Sequence, residues 1–123
     1  MARYPGLTLR ILADRHPAMG PGKAQLVAAI EATGSISAAA RAMNMSYRRA
    51  WQLVEAINHS FRQAVIVTAT GGKRGGGARV TPFGQELVRR FRAMEEKASA
   101  AIAKDLQLFS RHLRRQPAPR GPR

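Results

Sequence analysis

The sequence predicts a mainly α-helical domain with one small β-hairpin. Three observations carry that prediction. The run GSISAAARAMNMSYRRAWQLVEAINHSF, from Gly34 to Phe61, reads as two helices joined by a tight turn. Two β-like runs, AVIVT and ARVT, flank the glycine-rich TGGKRGGGA. Apolar residues then recur at helical spacing from Leu87 to Leu113. A short helix, a turn, a second helix, a basic hairpin and a long helix, in that order, make a winged helix-turn-helix with a long C-terminal dimerisation helix.

Leu7 to Leu12 (LTLRIL) carries β-branched Thr8 and Ile11 and reads as a short strand. His16 to Gly22 (HPAMGPG) holds two prolines and two glycines and reads as a loop. A first helix follows from about Gly22 to Thr33, with Leu26, Val27 and Ile30 as its apolar stripe and Gly34 as its stop. Ser35 or Ser37 caps the next helix, whose alanines favour helix and permit close packing.

Asn44 and Met45 form the turn, and Ser46 is placed to cap the third helix. Ala50, Leu53, Val54 and Ile57 recur at i, i+3, i+4, i+7 and define its buried face. Arg48, Gln52, Glu55 and His59 project the other way, with Tyr47 and Trp51 on one flank and Arg49 on the other.

Ala64 to Thr68 and Ala78 to Thr81 are strands. Between them Thr70 to Gly77 makes the hairpin tip, since five of its eight residues are glycine. Thr81 and Pro82 have the chemistry of a cap and a first helical position. A helix from Pro82 to Leu113 would be roughly 48 Å long, well beyond the ~30 Å span of a domain of this size. Its stripe of Leu87, Phe91, Met94, Ala98, Ile102, Leu106 and Phe109 therefore implies a second chain, most simply a homodimer, unless the helix frays beyond about Ala103 or bends back over the domain. The domain is expected over residues 1–113, and 114–123, rich in proline and arginine, as a disordered basic tail.

Composition narrows the partner. The chain has 123 residues, with 21 Lys+Arg against 7 Asp+Glu and a net charge of +14. Such an imbalance repels itself in the folded state and calls for an anionic partner, of which nucleic acid is the commonest; with the helix-turn-helix reading, double-stranded DNA is the expected one. No cysteine is present, so disulfides and thiolate metal sites are excluded. The N-terminal residues lack the apolar run of a signal peptide, and no run reaches the length of a membrane span. The expectation is a cytoplasmic, nucleoid-associated protein with no membrane partner and no cofactor. His16, His59 and His112 fall in separate elements without metal-ligand spacing, and the seven acids form no catalytic pair, so an enzyme is not expected.

Ser35, Ser37, Ser46, Tyr47, Arg48, Arg49, Gln52, Lys73, Arg74 and Arg79 form the expected DNA-binding set. Arg48 and Arg49 can contact guanine O6 and N7 or bind phosphate, and Gln52 can read adenine. Tyr47 can reach a phosphate or a sugar, or simply pack beside Trp51, which is expected as a partly buried anchor. Glu55 could accept from cytosine N4, but it is expected to pair with Arg48 or Arg62 instead. The glycine-rich loop misses the G-x-x-x-x-G-K-[ST] template and has no helix directly after it. It reads as a wing carrying Lys73, Arg74 and Arg79 towards backbone or minor groove, or as a mobile loop with incidental charge.

The runs GSISAAARAMNMSYRRAWQLVEAIN and TATGGKRGGGARVTPFGQELV resemble the N-terminal DNA-binding domain of the ModE molybdate-responsive regulators. More distantly, they are similar to the winged helix-turn-helix of LysR-type regulators. The resemblance spans Leu7 to Leu113, and SYRRAW and TGGKRGGGA are its most specific pieces. It implies a recognition helix from Ser46, a wing tip at Gly71 to Gly77 and a dimer helix from Pro82. ModE-type regulators bind molybdate in C-terminal oligomer-binding-like domains. Ten residues follow Leu113, too few for such a domain, so the expectation is a DNA-reading head without its sensor. Any molybdate response would need a separate effector-sensing protein or a site in the DNA-binding domain, and the sequence shows neither.

Three functions remain open on the sequence. One is a homodimeric, sequence-specific transcriptional regulator. The second is a low-specificity architectural DNA-binding protein. The third is an oxyanion-binding or adaptor module built on the glycine-rich loop.

Overall fold

The computed structural model describes residues 6–69 and 77–114. Strands β1 (Ile11–Ala13) and β2 (His16–Met19) form an antiparallel pair. Next come α1 (Pro21–Thr33), α2 (Ile36–Ala42) and α3 (Tyr47–Ser60). Strands β3 (Ile66–Thr68) and β4 (Ala78–Val80) pair antiparallel with Ile66 opposite Val80. Helices α4 (Pro82–Ala101) and α5 (Ala103–Ser110) complete the described chain. The mainly helical fold with its β3–β4 hairpin matches the expectation, and the β1–β2 pair is an addition to it.

Two local readings need correction. His16 to Gly22 is not a loop: its first four residues are β2, and Gly22 lies inside the first turn of α1. Asp14 makes the reversal possible by taking a left-handed φ of 59°, a conformation that aspartate tolerates better than most residues. Pro17 is acceptable in a two-stranded pair because an edge position need not donate to a ladder. The Leu7 to Leu12 strand is likewise shorter, since only Ile11 and Leu12 of that run lie in β1.

The helix ends follow their side chains. Ser35 Oγ accepts from the Ala38 amide at 2.9 Å, so Ser35 rather than Ser37 caps α2. Ser46 Oγ accepts from the Arg49 amide at 3.0 Å, and Thr81 Oγ1 from that of Gly84 at 2.9 Å. Each satisfies an amide that the first helical turn leaves without a partner. Gly34 closes α1 at φ 76°, with its amide on the Ile30 carbonyl. Asn44, at φ 58°, turns the chain between α2 and α3.

The principal core lies among α1, α2, α3 and the β3–β4 hairpin. Leu26, Ile30, Ile57, Val27, Val54 and Val65 are its largest fully buried side chains, each contributing on the order of 1.5–3 kcal/mol. Ala39 of α2 and Ala50 of α3 are also fully buried, and their small side chains let the two helices close on one another. Leu53, expected in the buried face of α3, is only half-buried at its margin.

A second, smaller cluster joins β2 to α4. Met19, Ala24 and Phe91 are buried together, with Leu9, Ile11, Phe61, Leu87 and Val88 packed around them. This corrects the expected dimer stripe: Phe91 is 3% exposed and Leu87 is half-buried within their own chain. The β1–β2 hairpin covers them. The single long helix is also interrupted. Ile102 takes φ −109° and ψ 13°, which separates α4 from α5, and the helix ends at Ser110 rather than Leu113. No residue of α5 is buried, so no packing holds this part of the chain to one straight axis. The expected tail lies outside the described residues beyond Arg114.

Candidate nucleic-acid interface

Helix α3 owes its orientation to Ala50, Val54 and Ile57, which are buried against α1, α2 and the β3–β4 hairpin. That anchoring turns the opposite face outwards. Tyr47, Arg48, Arg49 and Gln52 are all exposed in its first two turns, as the sequence implied. Among the described residues, the only ion pairs join Glu86 to Arg89 and Arg90 on α4. Arg48 and Arg49 thus carry no carboxylate partner there, and the expected pairing of Glu55 with Arg48 or Arg62 does not form. Free guanidinium groups on the leading turn of a capped helix are suited to base edges or phosphates.

Tyr47 and Trp51 are one unit. The Trp51 indole N–H donates to the Tyr47 hydroxyl. Their rings stand edge to face, with centroids 6.4 Å apart and planes at 83°. Trp51 is half-buried against the core, while Tyr47 is 53% exposed. The indole therefore fixes Tyr47, whose hydroxyl proton stays available to a phosphate oxygen. His59, four residues below Glu55, meets the Glu55 carbonyl through Nδ1 at 3.1 Å and sits far from the leading turn.

Ser35 and Ser37 lie at the start of α2 with their hydroxyls 3.1 Å apart. Ser35 is occupied as a cap, and both are half-buried.

The hairpin is tied to the helices through its backbone. The Ala78 amide donates to the Gly34 carbonyl at 2.9 Å, and the Thr81 amide to the Val65 carbonyl at 2.9 Å. Arg79, on β4 between buried Ala78 and Val80, points outwards. Lys73 and Arg74, with most of the expected wing tip, lie outside the described residues.

Asn58, near the end of α3, was not anticipated from the sequence. Its Nδ2 donates to the Ile66 carbonyl at 2.9 Å. Its Oδ1 accepts from the Val65 and Ile66 amides at 2.8 and 3.1 Å. One side chain thereby fixes the start of β3 on the helix that carries Arg48 and Arg49. An asparagine beside the apolar Ile57 was the one available signal.

Among the described residues, no group of three His, Asp or Glu side chains is disposed to hold a metal. A cleft of about 480 Å³ between α1, β4 and α4 is lined by Glu31, Arg79 and Gln85 together with apolar and backbone groups. Gln85 donates to Glu31 at its edge.

No protein-family model matches the chain. Over 100 residues it is 45% identical to the molybdenum-pterin-binding protein MopB of Rhodobacter capsulatus, covering 81% of this chain and 36% of that one. It is 33% identical over 88 residues to the DNA-binding transcriptional dual regulator ModE of Escherichia coli K12, covering 69% of this chain and 34% of that one. The chain thus spans about a third of the length of these relatives. In fold it is similar to the full-length LysR-type regulator LysG of Corynebacterium glutamicum. That match has a TM-score of 0.51 and 22% identity over 76% of this chain and 30% of LysG. With two caps, the turn and the hairpin observed in order, this chain is a winged-helix relative of the ModE and Mop proteins, as its sequence suggested.

Proposed function

We propose that the chain is a sequence-specific, DNA-binding transcriptional regulator that acts as a homodimer. The exposed leading turn of α3 carries the proposal. Tyr47, Arg48, Arg49 and Gln52 project from a helix whose opposite face is fixed in the core. The net charge of +14 supplies the attraction to phosphate. The name of its Escherichia coli relative, a DNA-binding dual regulator, supports the same reading. In this role α3 enters the major groove, Arg48 and Gln52 meet base edges, Arg49 meets a base edge or a phosphate, and Ser46 and Tyr47 meet the backbone. Arg79 acts on flanking phosphates or the minor groove, as do Lys73 and Arg74, which lie between β3 and β4 in the sequence.

The proposed dimer uses the distal part of the long helical segment. Met94, Leu108, Phe109 and Leu113 are exposed there, and Ala98, Ile102 and Leu106 are only half-buried. Two copies would cover these side chains and set the spacing of two half-sites. The role is one of binding rather than catalysis, exercised in the cytoplasm at the nucleoid.

Selection of bound duplexes from a random pool tests the proposal. A recovered palindrome is expected. The Arg48→Ala, Arg49→Ala double variant should bind that sequence and a scrambled one equally. A double variant that keeps the wild-type preference removes α3 as the reading element. If no sequence is enriched and salt alone governs affinity, the protein is a low-specificity architectural binder instead.

A further inference from the structure

Arg10, Lys23 and Arg49 are far apart in sequence, yet they stand on the approach to β1, the first turn of α1 and the first turn of α3, and these three elements all pack against β2. Arg10 directly precedes β1, and its Cγ lies 3.8 Å from where a side chain on Gly20 would begin. Gly20 is the N-cap of α1, and Lys23 lies in the first turn of that helix. The Lys23 ammonium is drawn back over β2, where it donates to the Pro17 carbonyl. Arg49 comes from the first turn of α3, the helix proposed to read DNA. Burial, then the charges of Arg10 and Arg49, hold Lys23 below the ordinary lysine pKa. Among the described residues, none of the three has an ion-pair partner.

Three uncompensated cations held together cost stability in the free protein. An anion between them turns that repulsion into attraction. The α1 N-terminus adds to the field, because Gly20 offers no side chain to cap its amides.

We infer that Arg10, Lys23 and Arg49 form a clamp for one phosphate of the DNA backbone, bordering the groove that α3 enters. This inference rests on the DNA-binding reading above. Arg49 belongs to both elements, so one residue links the β1–β2 hairpin to the reading helix. The clamp fixes how far α3 can slide along the groove and carries no base preference of its own. It makes the first hairpin a third DNA-facing element, beside α3 and the β3–β4 wing.

The test compares wild type, Lys23→Met, Arg10→Met and the control Lys104→Met, which removes one charge from α5. Affinity is measured against salt for a selected operator and for a scrambled duplex of equal length. Lys23→Met and Arg10→Met should each weaken both duplexes by a similar factor and lower the salt slope by about 1, leaving their ratio unchanged. Lys104→Met should leave the slope as in wild type. An unaltered slope in the two clamp variants, or an equal fall in the control, overturns the clamp while DNA binding stands. Inorganic phosphate titrated into DNA-free protein separates the sources. If Lys23→Met abolishes amide shifts caused by phosphate yet binds DNA normally, the cluster takes a free anion and the DNA contact is wrong. If wild type binds neither duplex, the functional reading itself fails and the clamp with it.

Discussion

Asn58 holds Ile66 by both of its backbone groups, donating to its carbonyl at 2.9 Å and accepting from its amide at 3.1 Å. The same Oδ1 takes the Val65 amide at 2.8 Å. Helix α3 and the hairpin are therefore joined by a side chain rather than by packing alone. If α3 reads a major groove and the hairpin touches its flank, this joint sets the angle between them.

Replacing Asn58 by alanine leaves two amides and a carbonyl without their partner in a half-buried place. Each such loss costs about 1 kcal/mol or more, so Asn58→Ala should lower unfolding stability by roughly 2–4 kcal/mol. Asn58→Asp keeps the acceptor and loses only the donor, and should cost less. Urea denaturation of the three proteins checks the order. Equal losses for Ala and Asp would mean that the two amide contacts contribute nothing.

Gly84 is required by proximity rather than by an unusual φ. A Cβ there would stand 2.6 Å from the Val65 carbonyl oxygen and 2.9 Å from a methyl of both Val65 and Val80. Two of these neighbours are buried side chains and one is backbone, so none can move freely. Gly84→Ala should cost about 1–3 kcal/mol through overpacking, despite the better helix propensity of alanine. A neutral or raised melting temperature would show that α4 is not seated so closely on the hairpin.

These two residues mark what was legible in the sequence. Ser46 and Thr81 could be read as caps because the chemistry of capping is local, a side-chain oxygen three residues before the amide it accepts. The stripe of Ala50, Val54 and Ile57 could be read because helical period alone decides it. Asn58 could not, since its partners lie across a loop and local propensity ranks asparagine as a weak helix former. Phe91 was misassigned for a related reason. Periodicity shows that a stripe must be covered, not which chain covers it. The covering residue, Met19, lies in β2, where two prolines and two glycines suggested a loop. The wing tip and its Lys73 and Arg74 lie outside the described residues.

Lys23 gives a prediction in pH. Its folded pKa is lowered from 10.5 by burial and by Arg10 and Arg49. Folding therefore favours the neutral amine. The charged form destabilises the fold at pH values below the folded pKa, and that penalty fades as pH rises towards 10.5. Relative to Lys23→Met, the wild type should thus gain stability between neutral pH and about 10.5. Parallel thermal melts across that range check the sign. A gap that stays constant would mean that neither burial nor the neighbouring arginines disfavour the charged lysine.

Phe91 and Phe109 separate the core of one chain from its proposed interface. Phe91 is 3% exposed among Met19 and Ala24. Phe91→Ala should therefore cost about 3–5 kcal/mol at any protein concentration. Phe109 is 64% exposed on α5, a helix that buries no residue within its own chain. Phe109→Ala should leave the isolated domain as stable as before, because it removes no intrachain contact of consequence. It should instead shift sedimentation towards monomer and weaken operator binding at low protein concentration, where two half-sites no longer act together. A Phe109→Ala protein that sediments as wild type would move the proposed interface away from α5.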